Sequence, residues 1–231
     1  MYKTTPELNH ELYHHGILGM KWGVRRYQPY GSGGYTPKTE KLSKAIYNNA
    51  KNKEPKITND VMDSFNKAGG KIYGLENRLK TEKSIHRKIV DDSVDKGISV
   101  EQSANQLKDA VRYTTIFDDD NFVNGYNVFK KDLKKKGYEE VRCRNYFDLY
   151  KKGLSKHKSV QSQFKDPDGY VFEVQFQTRE SQRAKDKKVP IYEERRRSGI
   201  TKERAEELEN EMVKLAERVP DPKNIEKIRT H

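Results

Sequence analysis

Tyr170-Val171-Phe172-Glu173-Val174-Gln175-Phe176-Gln177-Thr178 alternates with a period of two: Phe172, Val174 and Phe176 fall on one side of an extended chain, Glu173, Gln175 and Gln177 on the other. An apolar face of this kind packs into a core, so the opposite face looks toward solvent, a cleft or a ligand. Glu173 is the one charged side chain in the stretch, and its position needs a reason. Just upstream, Asp166-Pro167-Asp168-Gly169 separates it from a second alternating run at residues 159–165. An Asp-Gly pair between two such runs predicts a hairpin. That hairpin would set Gln161 and Gln163 beside Glu173 and Gln175 across the two strands.

Working outward, the β-branched and aromatic run Arg112–Phe117 predicts a strand. A helix from about Phe122 to Lys136 follows, stopped at Gly137, and then a strand from about Tyr138 to Asn145. Tyr146–Lys158 is polar and basic and is expected as a loop. Toward the amino terminus a helix is expected to open near Thr58 and to break at Gly69-Gly70, and an amphipathic helix to run from about Leu75 to Asp92. A short helix, Ser99–Leu107, carries Ser99 and Gln102 at capping-box spacing. Helices near 179–197 and 201–218 close the chain, and the stripe Leu208, Met212, Leu215 predicts packing on the domain rather than on a second subunit. The order predicts an α+β, mixed α/β layout with a sheet of four to five strands flanked by helices.

The 231 residues suffice for one domain with appendages. With hydrophobic residues at 32% and charged ones at 35%, a core closes only if part of the length lies outside it. The expected division is an extended motif and linker at 1–57, a folded domain at 58–197, and a helix and tail at 198–231. The formal net charge is +12, most of it between residues 61 and 200, which suits phosphate-bearing partners such as nucleotides, RNA, DNA or an anionic membrane. Cys143 is the only cysteine, so no intramolecular disulfide forms and a reducing compartment fits. No apolar run reaches the ~18 residues of a membrane span, and the amino terminus lacks a signal-peptide core. A soluble cytoplasmic protein without a membrane partner is expected.

Three constellations carry chemistry. Arg78-x-Lys80-x3-Ser84-x3-Lys88, on a continuous helix, would line Lys80, Ser84 and Lys88 along one face, a row that suits a polyphosphate and equally a solvated basic surface. Arg78 and Arg87 add forked donors. Asp109-x-x-Arg112 at a strand entry is either an ion pair or an oxygen ligand for Mg²⁺ beside phosphates. His157, Ser159 and Gln161 lead into the hairpin that presents Glu173 and Gln175, giving one polar face with a carboxylate and several amides, or simply a wet sheet face.

In this order, over about residues 70–197, the three resemble the synthetase domain of the RelA/SpoT family of pyrophosphokinases. The resemblance implies a nucleotidyltransferase-like sheet, ATP bound by Arg78, Lys80, Ser84 and Lys88, and Mg²⁺ held by Asp109 and Glu173. It also implies Arg112 on the phosphates, Glu173 as the base, and an acceptor site formed by His157, Ser159, Gln161 and Gln175. The implied reaction transfers the β,γ-pyrophosphate of ATP to a hydroxyl of a nucleotide or tRNA. Asp109-Ala110-Val111-Arg112-Tyr113-Thr114 and Tyr192-Glu193-Glu194-Arg195-Arg196 are similar to a divergent branch found in toxin-like and phage proteins. The chain departs from the family where Asp-x-x-Gly-x-Arg shortens to Asp109-x-x-Arg112, where His157 replaces a tyrosine that stacks on guanine, and where Gln161 replaces a histidine.

His14-His15-Gly16-Ile17-Leu18-Gly19-Met20-Lys21-Trp22-Gly23-Val24-Arg25-Arg26-Tyr27 resembles a short motif of proteins encoded in tailed-phage and prophage structural gene clusters. That implies a phage or prophage origin, action in the host cytoplasm and association with virion structural proteins. His10, His14 and His15 have no neighbouring carboxylate or cysteine to complete a metal shell. The alternative function is a non-catalytic structural or packaging-associated protein that binds nucleic acid or virion partners through its basic surface.

Overall fold

A computed structural model describes residues 36–195 and 199–231; the amino-terminal motif, with His10, His14 and His15, lies outside them. The strands are β1 (Lys71–Tyr73), β2 (Arg112–Ile116), β3 (Glu139–Asn145), β4 (Val160–Lys165) and β5 (Val171–Gln177), in one sheet ordered β1-β2-β5-β4-β3. Only β2 and β5 are parallel; the other neighbours are antiparallel. The expected hairpin is β4–β5, with Gln161 opposite Gln175 and Gln163 opposite Glu173. Asp166 closes its turn by accepting the Asp168 and Tyr170 amides at 2.9 and 2.7 Å.

One face of the sheet is the core. Phe172, Val174 and Phe176 of β5, Phe164 of β4 and Tyr113 of β2 are all at most 1% exposed. Two helices cover that face, α1 (Pro37–Ala68) and α4 (Phe122–Lys135), and between them the Phe65 and Phe129 rings stack at 4.6 Å. Phe129 also meets the edges of Phe164 and Phe176. Burying such aromatic side chains stabilises by roughly 1.5–3 kcal/mol each.

Helix α1 corrects the expected linker: residues 37–57 are helical and run without interruption through Pro55. Thr36 caps it in a box with Thr39, and Ala50, Ile57, Val61, Phe65 and Ala68 bury one stripe. That burial outweighs the hydrogen bond lost at Pro55. Gly69 ends the helix with φ 72°, as the Gly-Gly break predicts.

The helix expected over 75–92 is instead a 3₁₀ turn at Leu75–Asn77 followed, after Thr81 as N-cap, by α2 (Glu82–Lys96). Next come α3 (Val100–Gln106), with the Ser99/Gln102 capping box, and α5 (Tyr146–Lys151), where a loop was expected; Asn145 caps α5 by accepting the Phe147 and Asp148 amides. Finally α6 (Arg179–Arg195) and α7 (Lys202–Glu217) pack on each other, burying Leu208 while Met212 and Leu215 stay half-buried. Among the described residues no helix is long and apolar enough to cross a membrane.

Candidate active site

The second face of the sheet is polar, and its register sorts the side chains into two tiers. Arg112 lies opposite Glu173, Glu173 opposite Gln163, and Gln163 opposite Arg142; one step along, Thr114, Gln175, Gln161 and Arg144 repeat the pattern. Glu173 therefore sits mid-sheet, with Arg112 on the neighbouring strand β2 and Arg142 two strands away, beyond Gln163. Before β2, residues 78–80 join the sheet: the Arg112 amide donates to the Arg78 carbonyl at 2.7 Å, and the Lys80 amide to the Ala110 carbonyl at 2.9 Å. This ladder carries Lys80 to Asp109, with Nζ 3.3 Å from Oδ2.

Helices α2 and α3 stand over this end and leave a cleft of about 510 Å³, within the size range of small-molecule sites. Its walls include Lys88, Lys96, Lys108, Arg112, Arg142 and Arg144 against the carboxylates Asp92, Asp109 and Glu173. Six cations against three anions favour a polyanionic ligand. Lys88 pairs with Asp92 at 3.4 Å. Burial lowers the Lys88 pKa, but Asp109 and Asp92 outweigh it and hold the ammonium above its ordinary value. Lys80 is held below its ordinary value, chiefly by burial.

Burial pushes the Glu173 carboxyl above the ordinary glutamate range, and the nearby charge of Asp109 pushes the same way; Arg112 opposes them. Gln175 Nε2 donates to Glu173 Oε1 at 2.6 Å, and Gln175 Oε1 accepts from Lys185 Nζ of α6 at 2.6 Å. Burial and Arg112 lower Lys185 to about 8. Asp109 Oδ1 is shut off from solvent and accepts no hydrogen bond among the described residues.

A smaller cavity of about 220 Å³ adjoins the cleft, with Gln161 bordering both and His157, Lys158, Lys185 and Lys188 among its walls. The His157 ring lies on Tyr146 at 4.2 Å, and the Tyr146 amide donates to the Ser159 carbonyl at 2.8 Å. Ser159 itself is buried.

Of the residues singled out in the sequence, the structure brings Lys88, Asp109, Arg112, Gln161, Glu173 and Gln175 to one cleft, with Lys80 behind Asp109. Arg78 does not join them. Its Nε donates to Glu54 of α1, which also accepts from Thr58, and its Nη1 donates to the Leu75 carbonyl at 3.1 Å. Ser84 is in the first turn of α2, its amide taken by the Thr81 hydroxyl at 3.2 Å, so the expected row on one helix is split by the cap. His157 faces the smaller cavity. Arg142, Arg144, Tyr146 and Lys185 were not anticipated. The period of two in Glu139–Asn145 already puts both arginines on one strand face; nothing local in the sequence marks Lys185.

A family model described as a family of unknown function (DUF7211) matches residues 5–29. No curated protein matches the chain. Among solved structures, a GTP pyrophosphokinase family protein from Streptococcus pneumoniae is similar at 14% identity with a TM-score of 0.51, over 84% of this chain and 94% of that one. Small alarmone synthetase 1 from Bacillus subtilis is similar at 16% identity and a TM-score of 0.51, over 79% of this chain and 92% of the other. Small alarmone synthetase 2 from the same organism gives 17%, a TM-score of 0.50, and 79% and 93%. At such identities the likeness establishes the fold.

Proposed function

We propose that this chain transfers the β,γ-pyrophosphate of ATP to a hydroxyl of a nucleotide or tRNA acceptor. The observation that carries it is the cleft: a half-buried carboxylate of raised pKa, Glu173, shares it with Asp109, with Arg112 on the neighbouring strand and Arg142 two strands away, on the polar face of a sheet whose fold is shared with a GTP pyrophosphokinase family protein. Perturbed titration in a cationic cleft is a mark of catalytic sites.

Lys88, Arg112, Arg142 and Arg144 supply the positive lining that a triphosphate needs, and the arginine forks can engage phosphate oxygens two at a time. The acceptor's hydroxyl oxygen attacks the β-phosphorus, the bond from that phosphorus to the α-bridging oxygen breaks, and AMP leaves. Ionised Glu173 takes the hydroxyl proton. His157 and Tyr146 offer a ring surface for an acceptor base, and Gln161 bridges the two cavities. Arg78, held by Glu54, belongs to the frame of the site.

Mg²⁺ fits the two carboxylates Asp109 and Glu173, because hard oxygen donors are present and Asp109 Oδ1 has no hydrogen-bond donor of its own among the described residues. Bound there, the ion would neutralise charge on the phosphates. The motif at residues 14–27 supports a phage- or prophage-encoded enzyme that acts in the host cytoplasm.

The test incubates the protein with γ-labelled ATP, Mg²⁺ and GDP, GTP, ADP or tRNA. Label moves to one acceptor with wild type and not with Glu173→Gln. No label in any acceptor, with the two proteins alike, refutes the proposal. Salt-sensitive binding to duplex DNA without ATP affinity would then assign the basic surface to nucleic acid.

A further inference from the structure

We propose that Lys185 is a positioning residue that fixes the orientation of Glu173 through the Gln175 amide, an inference that rests on Glu173 being the proton acceptor of the transfer proposed above. Three side chains from two elements form one line. Lys185 Nζ donates to Gln175 Oε1 at 2.6 Å, and Gln175 Nε2 donates to Glu173 Oε1 at 2.6 Å. An ammonium only donates and a carboxylate only accepts, so a single orientation of the amide satisfies both ends. With Lys185 gone, the remaining donor to Gln175 Oε1 among the described residues is the Thr114 hydroxyl at 3.5 Å, a distance at which little binding strength is left. The amide can then turn over and present its oxygen to Glu173, where two acceptors face each other.

The surroundings make this line rigid at both ends. Gln175 is 5% exposed and lies in the interior of the sheet between β2 and β4. Helix α6 starts directly after β5: the Thr178 amide donates to Ser181 Oγ at 2.8 Å, and the Ser181 amide to Thr178 Oγ1 at 3.1 Å. Further along the helix, Tyr73 of β1 donates to Asp186 at 2.7 Å, and Gln182 donates to the same carboxylate at 2.7 Å. Lys188, one turn on from Lys185, is committed to the Lys156 carbonyl at 2.7 Å. The charges acting on Lys185 are Arg112 from β2, Glu173 from β5, Asp186 from its own helix and Lys80 from the segment before α2. Rotation of a misplaced base costs rate without weakening the hold on the triphosphate, because the phosphate-binding cations lie on other elements.

The experiment compares wild type with Lys185→Met, Lys185→Arg and, as a control, Lys187→Met at an exposed position of the same helix. Loss of an outer support of this kind typically lowers activity about 10–100-fold, so Lys185→Met should lower kcat by that factor with KM for ATP unchanged. Lys185→Arg, also a pure donor, should recover most of it, and Lys187→Met should behave as wild type. Independently of turnover, ¹⁵N spectra should show the Gln175 side-chain amide as one ordered, shifted pair in wild type and Lys185→Arg, and averaged in Lys185→Met. A wild-type kcat in Lys185→Met, a raised KM at unchanged kcat, or an unchanged Gln175 amide signal overturns the proposal. Should wild type transfer nothing, pyrophosphate transfer falls, and the amide spectra alone decide whether Lys185 orders Gln175.

Discussion

Replacing Arg78 by methionine separates two roles that one arginine could hold. A phosphate-binding Arg78 would leave stability alone and weaken ATP. In the structure it instead pairs with Glu54, whose residue is 7% exposed, while the arginine side chain is 32% exposed. Removing one partner of a buried pair costs about 3–5 kcal/mol, whereas exposed pairs contribute about 0–1 kcal/mol. Water reaches the Arg78 side and Thr58 remains as a donor to Glu54, so a value between these limits, about 2 kcal/mol, is expected. For a chain of this size each kcal/mol moves Tm by about 2–4 °C, giving a fall of roughly 4–8 °C. Burial acts to raise the Glu54 carboxyl, but the hydrogen bonds from Arg78 and Thr58 prevail and hold it below its ordinary value. The stabilisation is thus present at neutral pH and lost as pH falls through that depressed value, and Arg78→Met should flatten this acid dependence. Melting followed by circular dichroism, with Glu54→Gln and the double variant closing a cycle, measures the coupling; calorimetry with ATP measures binding. Wild-type melting together with lost ATP affinity in Arg78→Met would refute the reasoning.

The pH profile of transfer should fall near 8 as Lys185 loses its proton; Lys185→Arg should remove the alkaline fall. Arg142→Met with Arg144→Met should weaken ATP at least about tenfold, given about 1.5–3 kcal/mol per charged hydrogen bond, with a shallower salt dependence in a binding titration. Gly125→Ala in α4 should destabilise by about 1–2 kcal/mol in urea, although alanine favours helix by about 1 kcal/mol, because its Cβ would enter the Phe117 ring that stacks on Phe176.

The hairpin, its register and the burial of β5 were legible because a period of two and an Asp-Gly turn are local signals. Helix α1 was legible only from Thr58 to its end at Gly69; residues 37–57 read as linker because of their lysines and Pro55, and only the burial of Ala50 and Ile57 in the core decides otherwise. Within the site, Glu173, Asp109 and Arg112 could be picked out as carboxylates and a cation at strand positions. The Arg78–Lys88 row misled in part: Thr81 caps α2, so spacing on an assumed helix put Arg78 and Lys80 on a face that does not exist. Arg142 and Arg144 needed the sheet order before their face had meaning, and Lys185 needed the angle of α6 against β5.

The most direct test follows AMP. Incubated with ATP, Mg²⁺ and its acceptor, wild type should release AMP one-to-one with acceptor that has gained both transferred phosphates, and Glu173→Gln should release none. ADP in place of AMP, or equal AMP from wild type and Glu173→Gln, would contradict pyrophosphate transfer at this cleft.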